Sequence, residues 1–279
     1  MVIQEFGKEN TETFLLLPGT SCTWEINFNM LLEPLSKEFH VLCVNYTGFD
    51  GGDALFDTQE AETGRIEAYV TDHFGGHLDA VYGSSMGGSF ASLLVQRRRI
   101  RIDHVFIGSS DLDQASPLVA KAETAFMGAF MKRLAKHPEK AMAKFSKVAD
   151  AKGMSIDEKD LKSSGLDDDY LQHMMQGFFE TVGKTDIRSV KNQFYSDLVT
   201  KLDDGICAPG TKIHVFHSEK MGDKYLKRYH RHYADPEIIS FPYGHEGWLG
   251  NPQLMIETFQ RCMKAEGYVK DIEKILRKN

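Results

Sequence analysis

The sequence predicts a doubly wound α/β fold, a mostly parallel sheet with a helical lid inserted between two of its strands. Three observations predict it. Short apolar runs, each cut off by a turn residue, read as strands buried on both faces, the habit of a parallel sheet. Amphipathic stretches stand between them, and strands that alternate with helices imply crossover connections within one sheet. One long stretch, from about Gln114 to Lys201, breaks that rhythm and holds no convincing strand.

In chain order, the first run is Phe14-Leu15-Leu16-Leu17, ended by Pro18-Gly19. A helical pattern over about Glu25–Phe39 follows, with Ile26, Met30, Leu31 and Leu35 at helical spacing. Val41-Leu42-Cys43-Val44-Asn45-Tyr46 is the next strand, and about Thr58–Phe74 the next helix. Leu78–Tyr82 runs into Gly83, and a helix from Met86 through Phe90, Leu93 and Leu94 reaches Arg97. Val105-Phe106-Ile107 ends at Gly108. Late in the chain come Ile213–Phe216, Ile238–Phe241 and a helix over about Pro252–Leu276, with a break expected at Gly267. The strandless stretch contains amphipathic segments near Leu118–Ala135, Pro138–Ala149, Asp168–Val182 and Ser189–Leu202, parted by polar breaks such as Ser163-Ser164-Gly165. The expected organisation is therefore one sheet domain in two parts, 1–113 and 202–279, around a lid of 114–201 whose apolar stripes need the sheet to cover them.

Composition sets outer limits. The 279 residues carry 33 basic and 40 acidic side chains, a net charge of −7. That balance disfavours nonspecific binding to nucleic acid or to an anionic membrane, both of which call for a basic face. The run Arg97-Arg98-Arg99-Ile100-Arg101 ends a helix, where it complements the helix dipole. The segment Lys224–Tyr233 reads as an outer helix whose Lys and Arg stems cover apolar surface. Cys22, Cys43, Cys207 and Cys262 form no CxxC pair and show no metal-ligand spacing, nor does any spacing among His217, His230 and His232 compel a metal site. No metal or cofactor is expected. The first ten residues lack a basic, then apolar, signal segment, and no apolar run approaches the ~20 residues of a membrane span. A reduced, cytoplasmic protein is expected. Its partner would be a small-molecule substrate, with at most a second copy of the chain as a homodimer.

The chemistry is carried by Gly83-Ser84-Ser85-Met86-Gly87, a Gly-x-Ser-x-Gly set between a predicted strand and a predicted helix. A sharp turn there lifts the central hydroxyl clear of the sheet, and it crowds the positions two before and two after the serine. Gly83 and Gly87 have no Cβ to clash. Ser84 fails the same test, because Tyr82 and Met86 would occupy those positions. Ser85 is then the candidate nucleophile, and the helix from Met86 aims its first amides at developing negative charge.

With these features the chain resembles an α/β-hydrolase fold protein with a helical lid over nearly its full length. Leu17-Pro18-Gly19-Thr20-Ser21-Cys22-Thr23-Trp24 resembles the oxyanion loop of that family, with Pro18 in place of the usual histidine. The resemblance implies that the amide of Thr20 or of Ser21 pairs with that of Met86 in an oxyanion hole. Tyr243-Gly244-His245 matches the family's Gly-His loop after the last strand, which makes His245 the general base. The family places an acid after the strand that follows the lid. Here the segment reads His217-Ser218-Glu219-Lys220-Met221-Gly222-Asp223, and the usual Asp is missing. Glu219 is preferred by its spacing from His245, Asp223 is the alternative, and Asp111 or Asp113 after the preceding strand is a third choice. Of the lid's stripe of Phe126, Met127, Phe130, Met131, Met174, Met175, Phe178 and Phe179, most read as helix core. A minority, with Phe126, Phe130 and Phe178 as candidates, would line a substrate pocket with Trp24.

The function expected from this set is acyl transfer by a Ser-His-acid triad on an ester or thioester of modest size and partly apolar character. Two rivals remain open at this point: a non-hydrolytic lyase on the same fold, and a ligand-binding or regulatory protein with little turnover.

Overall fold

The computed structural model describes residues 1–136 and 177–264. Seven strands make one sheet: β1 (Val2–Phe6), β2 (Thr13–Leu17), β3 (His40–Asn45), β4 (His77–Gly83), β5 (Arg101–Ile107), β6 (Lys212–Ser218) and β7 (Glu237–Phe241). Their order across the sheet is β1-β3-β2-β4-β5-β6-β7. β1 pairs antiparallel with β3 and every other pair is parallel.

Alternation along each strand sends side chains to opposite faces, and both faces are apolar. Leu15 and Leu17, Leu42 and Val44, Val81, Val105 and Ile107, and Val215 share one face. That face is covered by α3 (Gln59–Phe74), α4 (Met86–Arg97) and α7 (Asp223–His232) through Ile66, Val70, Phe90, Leu94, Tyr225 and Tyr229. Phe14 and Leu16, Val41 and Cys43, Ala80 and Tyr82, Phe106, Phe216 and Ile239 share the other. Helices α2 (Asn29–Ser36) and α8 (Pro252–Lys264) cover it with Leu31, Leu35, Met255 and Phe259. Phe259 sits at the centre of an aromatic cluster, 4.7 Å from Phe106, 4.9 Å from Phe14 and 5.7 Å from Phe216, ring centre to ring centre. Each such side chain contributes about 1.5–3 kcal/mol by leaving water.

The register brings the functional loops together. Leu17 lies level with Gly83, and Gly83 with Ile107, so three chain segments leave the carboxyl edge of the sheet side by side. Ser218 lies level with Phe241, which places the β6 and β7 loops as neighbours on the same edge.

Two features differ from the sequence reading. β1 was not expected: its Val-Ile-Gln-Glu-Phe is short and half-exposed at the sheet edge, so neither its length nor its burial marks a strand. The helix expected over Glu25–Phe39 is two, α1 (Trp24–Asn27) and α2, parted at Phe28. Phe28 leaves helical geometry (φ −127°, ψ 10°) to bury its ring against Tyr82. The final helix is described to Lys264, and the break expected at Gly267 lies outside the described residues.

Between β5 and β6 stand α5 (Pro117–Lys136), a helical stretch at 177–184 and α6 (Ile187–Val199). The segment expected at Pro138–Ala149, the break at Ser163-Ser164-Gly165, and Met174 and Met175 lie outside the described residues. α6 is bound to the sheet domain by polar side chains. Ser189 Oγ and Ser196 Oγ accept the backbone N–H groups of Phe56 and Gln59, and Asn192 donates to the Phe56 carbonyl. Among the described residues no helix is long and apolar enough to cross a membrane.

Candidate active site

The turn between β4 and α4 has the geometry its glycines predict. Ser85 adopts φ 52°, ψ −118°, a conformation costing a residue with a side chain roughly 1–3 kcal/mol. The crowding that demands glycine is visible on both sides. A Cβ on Gly83 would lie 2.2 Å from the Gly87 carbonyl oxygen, and one on Gly87 would lie 2.1 Å from that of Leu17. Ser84 is buried, its N–H donating to the Leu17 carbonyl and its Oγ accepting from Asn27. Ser85 alone in this turn keeps contact with solvent.

His245 reaches Ser85 from the loop after β7, with Nε2 3.1 Å from Ser85 Oγ. Burial pushes the imidazole below its ordinary pKa, and the charge of Glu246 opposes that shift. Both shifts act on the same ring, and Nε2 stands within hydrogen-bond distance of the Ser85 hydroxyl. Its Nδ1 is buried, with no hydrogen-bond partner among the described residues.

No carboxylate stands where a triad acid would. Glu219 begins a short 3₁₀ turn after β6, and Asp223 begins α7; both are exposed. The histidine on which their charges bear is His217, whose pKa burial lowers and both carboxylates raise. Asp111 and Asp113 are held by Arg228, which donates to the Asp111 carbonyl at 2.7 Å and forms an ion pair with Asp113.

The oxyanion loop distinguishes its two candidates. Gly19 N–H donates to Asn27 Oδ1 at 2.7 Å, and Ser21 N–H to Gln193 Oε1 at 2.9 Å. Cys22 N–H closes a turn on the Gly19 carbonyl. The Ser21 amide is thus occupied. Those of Thr20 and Met86 have no acceptor among the described residues. A Cβ on Gly19 would stand 3.4 Å from Ser85 Cβ, so this loop lies against the elbow.

A strained serine on a strand-to-helix turn, met by a histidine from the end of the last strand, agrees with what a comparison of whole sequences returns. The model of the alpha/beta hydrolase family matches residues 14–257. The chain belongs to the alpha/beta hydrolase family. A search of curated protein sequences finds no significant match. Among solved structures, similar alpha/beta hydrolases include a family protein from Desulfitobacterium hafniense, with TM-score 0.73 and 14% identity, covering 95% of this chain and 100% of that one. A thermophilic esterase from Thermogutta terrifontis has TM-score 0.66 and 17% identity over 95% of this chain and 94% of its own. The enol-lactonase from Burkholderia xenovorans LB400 has TM-score 0.66 and 16% identity over 95% and 96%. At such identities the likeness concerns the alpha/beta hydrolase fold.

Of the expected pocket residues, the structure brings only some toward the sheet. Phe130 and Phe178 pack, partly buried, on the core face that carries the elbow helix. Phe126 points to solvent with 69% of its surface exposed. Trp24 packs on the opposite face, its ring 5.2 Å from Phe6 and its indole N–H buried without a partner.

Four residues of this alpha/beta hydrolase site were not anticipated. Asn27 ties the oxyanion loop to the elbow, and Gln193 holds it from α6. Asp197, one helical turn beyond Gln193, is pushed up to about pKa 8 by burial and by the charges of Asp111 and Asp113, against a hydrogen bond from Ser89. Glu246 reaches beneath Ser85. The one signal for Glu246 in the sequence is its place directly after His245; the other three reach the site from positions that no motif marks. Among the described residues, two groups of side chains stand close enough to hold a metal ion: His214, Glu237 and Cys262, and His77, Asp79 and Asp103. Their histidines and carboxylates lie toward the amino ends of their strands, away from Ser85, with Cys262 on α8; His217, His230 and His232 form no such group.

Proposed function

We propose that the protein is a serine hydrolase that cleaves a carboxylic ester or thioester of small to medium, partly apolar character. The observation that carries this reading is the 3.1 Å approach of His245 Nε2 to the hydroxyl of a strained, solvent-reaching Ser85. As the Ser85 oxygen bonds to the carbonyl carbon, its proton passes to Nε2 and the carbonyl electron pair moves onto oxygen. The amides of Thr20 and Met86 receive that oxyanion, the second at the amino end of α4. The tetrahedral intermediate collapses, the bond to the leaving oxygen or sulfur breaks, and His245 returns the proton to the departing group. Water then repeats the sequence on the acyl-enzyme and releases the acid. The helical insertion serves as the lid, and Phe130 and Phe178 supply apolar wall for the acyl group.

A fluorophosphonate probe tests the assignment together with hydrolysis of p-nitrophenyl esters and acyl thioesters. Labelling and turnover that both vanish in S85A and in H245A are expected. A well-folded wild type that never labels would sink the proposal. The unpartnered Nδ1 of His245 favours one rival, a ligand-binding protein with little turnover, because an unoriented imidazole is a poorer base. That rival predicts ligand-induced stabilisation without labelling.

A further inference from the structure

Glu246 follows His245 directly, yet its carboxylate turns back under the nucleophile. The backbone at Glu246 is left-handed, with φ 57°, which is uncommon for a residue with a side chain. Its Oε1 accepts the N–H of Ser85 at 2.8 Å and that of Ser109 at 2.6 Å. Its Oε2 accepts the Tyr82 hydroxyl at 2.6 Å, and that hydroxyl accepts the Trp248 indole N–H at 3.0 Å. The Glu246 N–H donates to Ser109 Oγ at 3.1 Å. One carboxylate thereby joins the carboxyl end of β4, the elbow, the loop after β5 and the histidine loop. Gly108 leaves the room for it, since a Cβ there would come within 2.4 Å of Oε1.

The charge in this place matters because of what His245 lacks. Its Nδ1 has no partner among the described residues, and the charge that favours its protonated form is that of Glu246. The other titratable groups around Glu246 are Tyr82 from β4 and Tyr229 from α7, both held protonated far above neutral pH by burial, and His245 itself. Among the described groups, it is the Glu246 carboxylate whose charge bears on His245.

We propose that Glu246 is the positioning residue of this site. Bound to the Ser85 N–H, it holds the elbow in its strained conformation. Its charge, in place of a carboxylate on Nδ1, stabilises the imidazolium formed when Ser85 attacks. The second role rests on the serine-hydrolase reading; the first rests on geometry alone.

The isosteric change Glu246→Gln removes the charge while its amide oxygen can still accept both N–H groups; its NH2 group cannot accept the Tyr82 hydroxyl as Oε2 does, and Y82F controls for that loss. The test titrates the His245 imidazole by NMR in full-length wild type, E246Q and Y82F, and measures the rate of fluorophosphonate labelling against pH. In E246Q the His245 midpoint falls by about 0.5–1 pH unit, and labelling at pH 7 slows about tenfold. Y82F keeps the charge and therefore the wild-type midpoint. An unchanged midpoint in E246Q overturns the charge role and leaves Glu246 only as the staple of the elbow. The NMR arm needs no turnover: a shifted midpoint in a protein whose wild type never labels retains the role of Glu246 and rejects the hydrolase reading instead. Should E246Q fail to fold, E246D keeps the charge one methylene short of the elbow. Slow labelling with a near-wild-type midpoint is then expected, and wild-type labelling overturns the positioning role.

Discussion

The two ends of the sheet treat polar side chains in opposite ways. Toward the amino ends of the strands they are paired. Asp79 accepts both the N–H and the hydroxyl of Thr13, and Thr13 Oγ1 accepts the Asp79 N–H in return. Asp103 binds His77 and Arg101, and His214 joins His104 to Glu237. At the carboxyl ends and the insertion above them, several buried polar atoms have no partner among the described residues: Ser21 Oγ, Gln193 Nε2, Asp197 Oδ1, and Nδ1 of both His217 and His245. A buried polar group with no hydrogen bond costs about 1–3 kcal/mol, so such groups persist where something other than stability retains them. The amino ends are tied together as scaffold, and Ser85 and His245 lie at the other end of the sheet.

That contrast can be broken by mutation, and the largest effect is expected at the nucleophile. Ser85→Ala should lower ester turnover by about 10⁴-fold or more, read as kcat/KM, with little change in melting temperature. Gln193→Ala frees the Ser21 amide and with it the oxyanion loop. A fall in kcat of about 10–100-fold is expected at nearly constant stability. Equal losses of activity and of melting temperature would instead place Gln193 with the scaffold. At the paired end, Asp79→Ala leaves Thr13 unsatisfied. It should cost about 1–3 kcal/mol in urea unfolding while kcat stays at the wild-type value. The pH profile sharpens the same division. Burial lowers the pKa of His245, so the neutral base persists to a lower pH than an ordinary histidine with pKa ~6.5. The acidic limb of kcat/KM should fall below that value, and a limb well above it would show a carboxylate bound at Nδ1. The smallest effects are expected from Glu219→Ala and Asp223→Ala, about threefold or less in kcat, because both side chains are exposed and bear on His217. A loss of 10²-fold in either would show that the β6 loop brings an acid to His245 during turnover.

Much of this architecture is local in origin and therefore legible. Phe14–Leu17, Val41–Val44 and Val105–Ile107 are short, wholly apolar and cut off by turns, so burial on both faces follows from composition alone. β1 escapes such a reading because an edge strand is half-exposed and takes its identity from its neighbour, here β3. The break at Phe28 is invisible for a similar reason. No Gly or Pro marks it, and it is the packing of Phe28 against Tyr82 that bends the chain.

The site divides along the same line. Ser85 is named by its own neighbours, since Gly83 and Gly87 answer a steric demand two residues away on either side. His245 is named by its place after the last strand. The choice between Thr20 and Ser21 turns on Gln193, more than 170 positions later in the chain, and the support beneath Ser85 comes from Glu246, 161 positions later. The exposure of Glu219 and the empty Nδ1 of His245 depend on how the β6 and β7 loops pass each other. The sequence by itself determined six of the seven strands and the places of Ser85 on the elbow and His245 after the last strand, because periodicity and steric exclusion act over a few residues. Only the tertiary structure decided which amide is free, which carboxylate meets the elbow and which does not, because hydrogen bonds require a fit of tenths of an ångström between segments that no spacing rule connects.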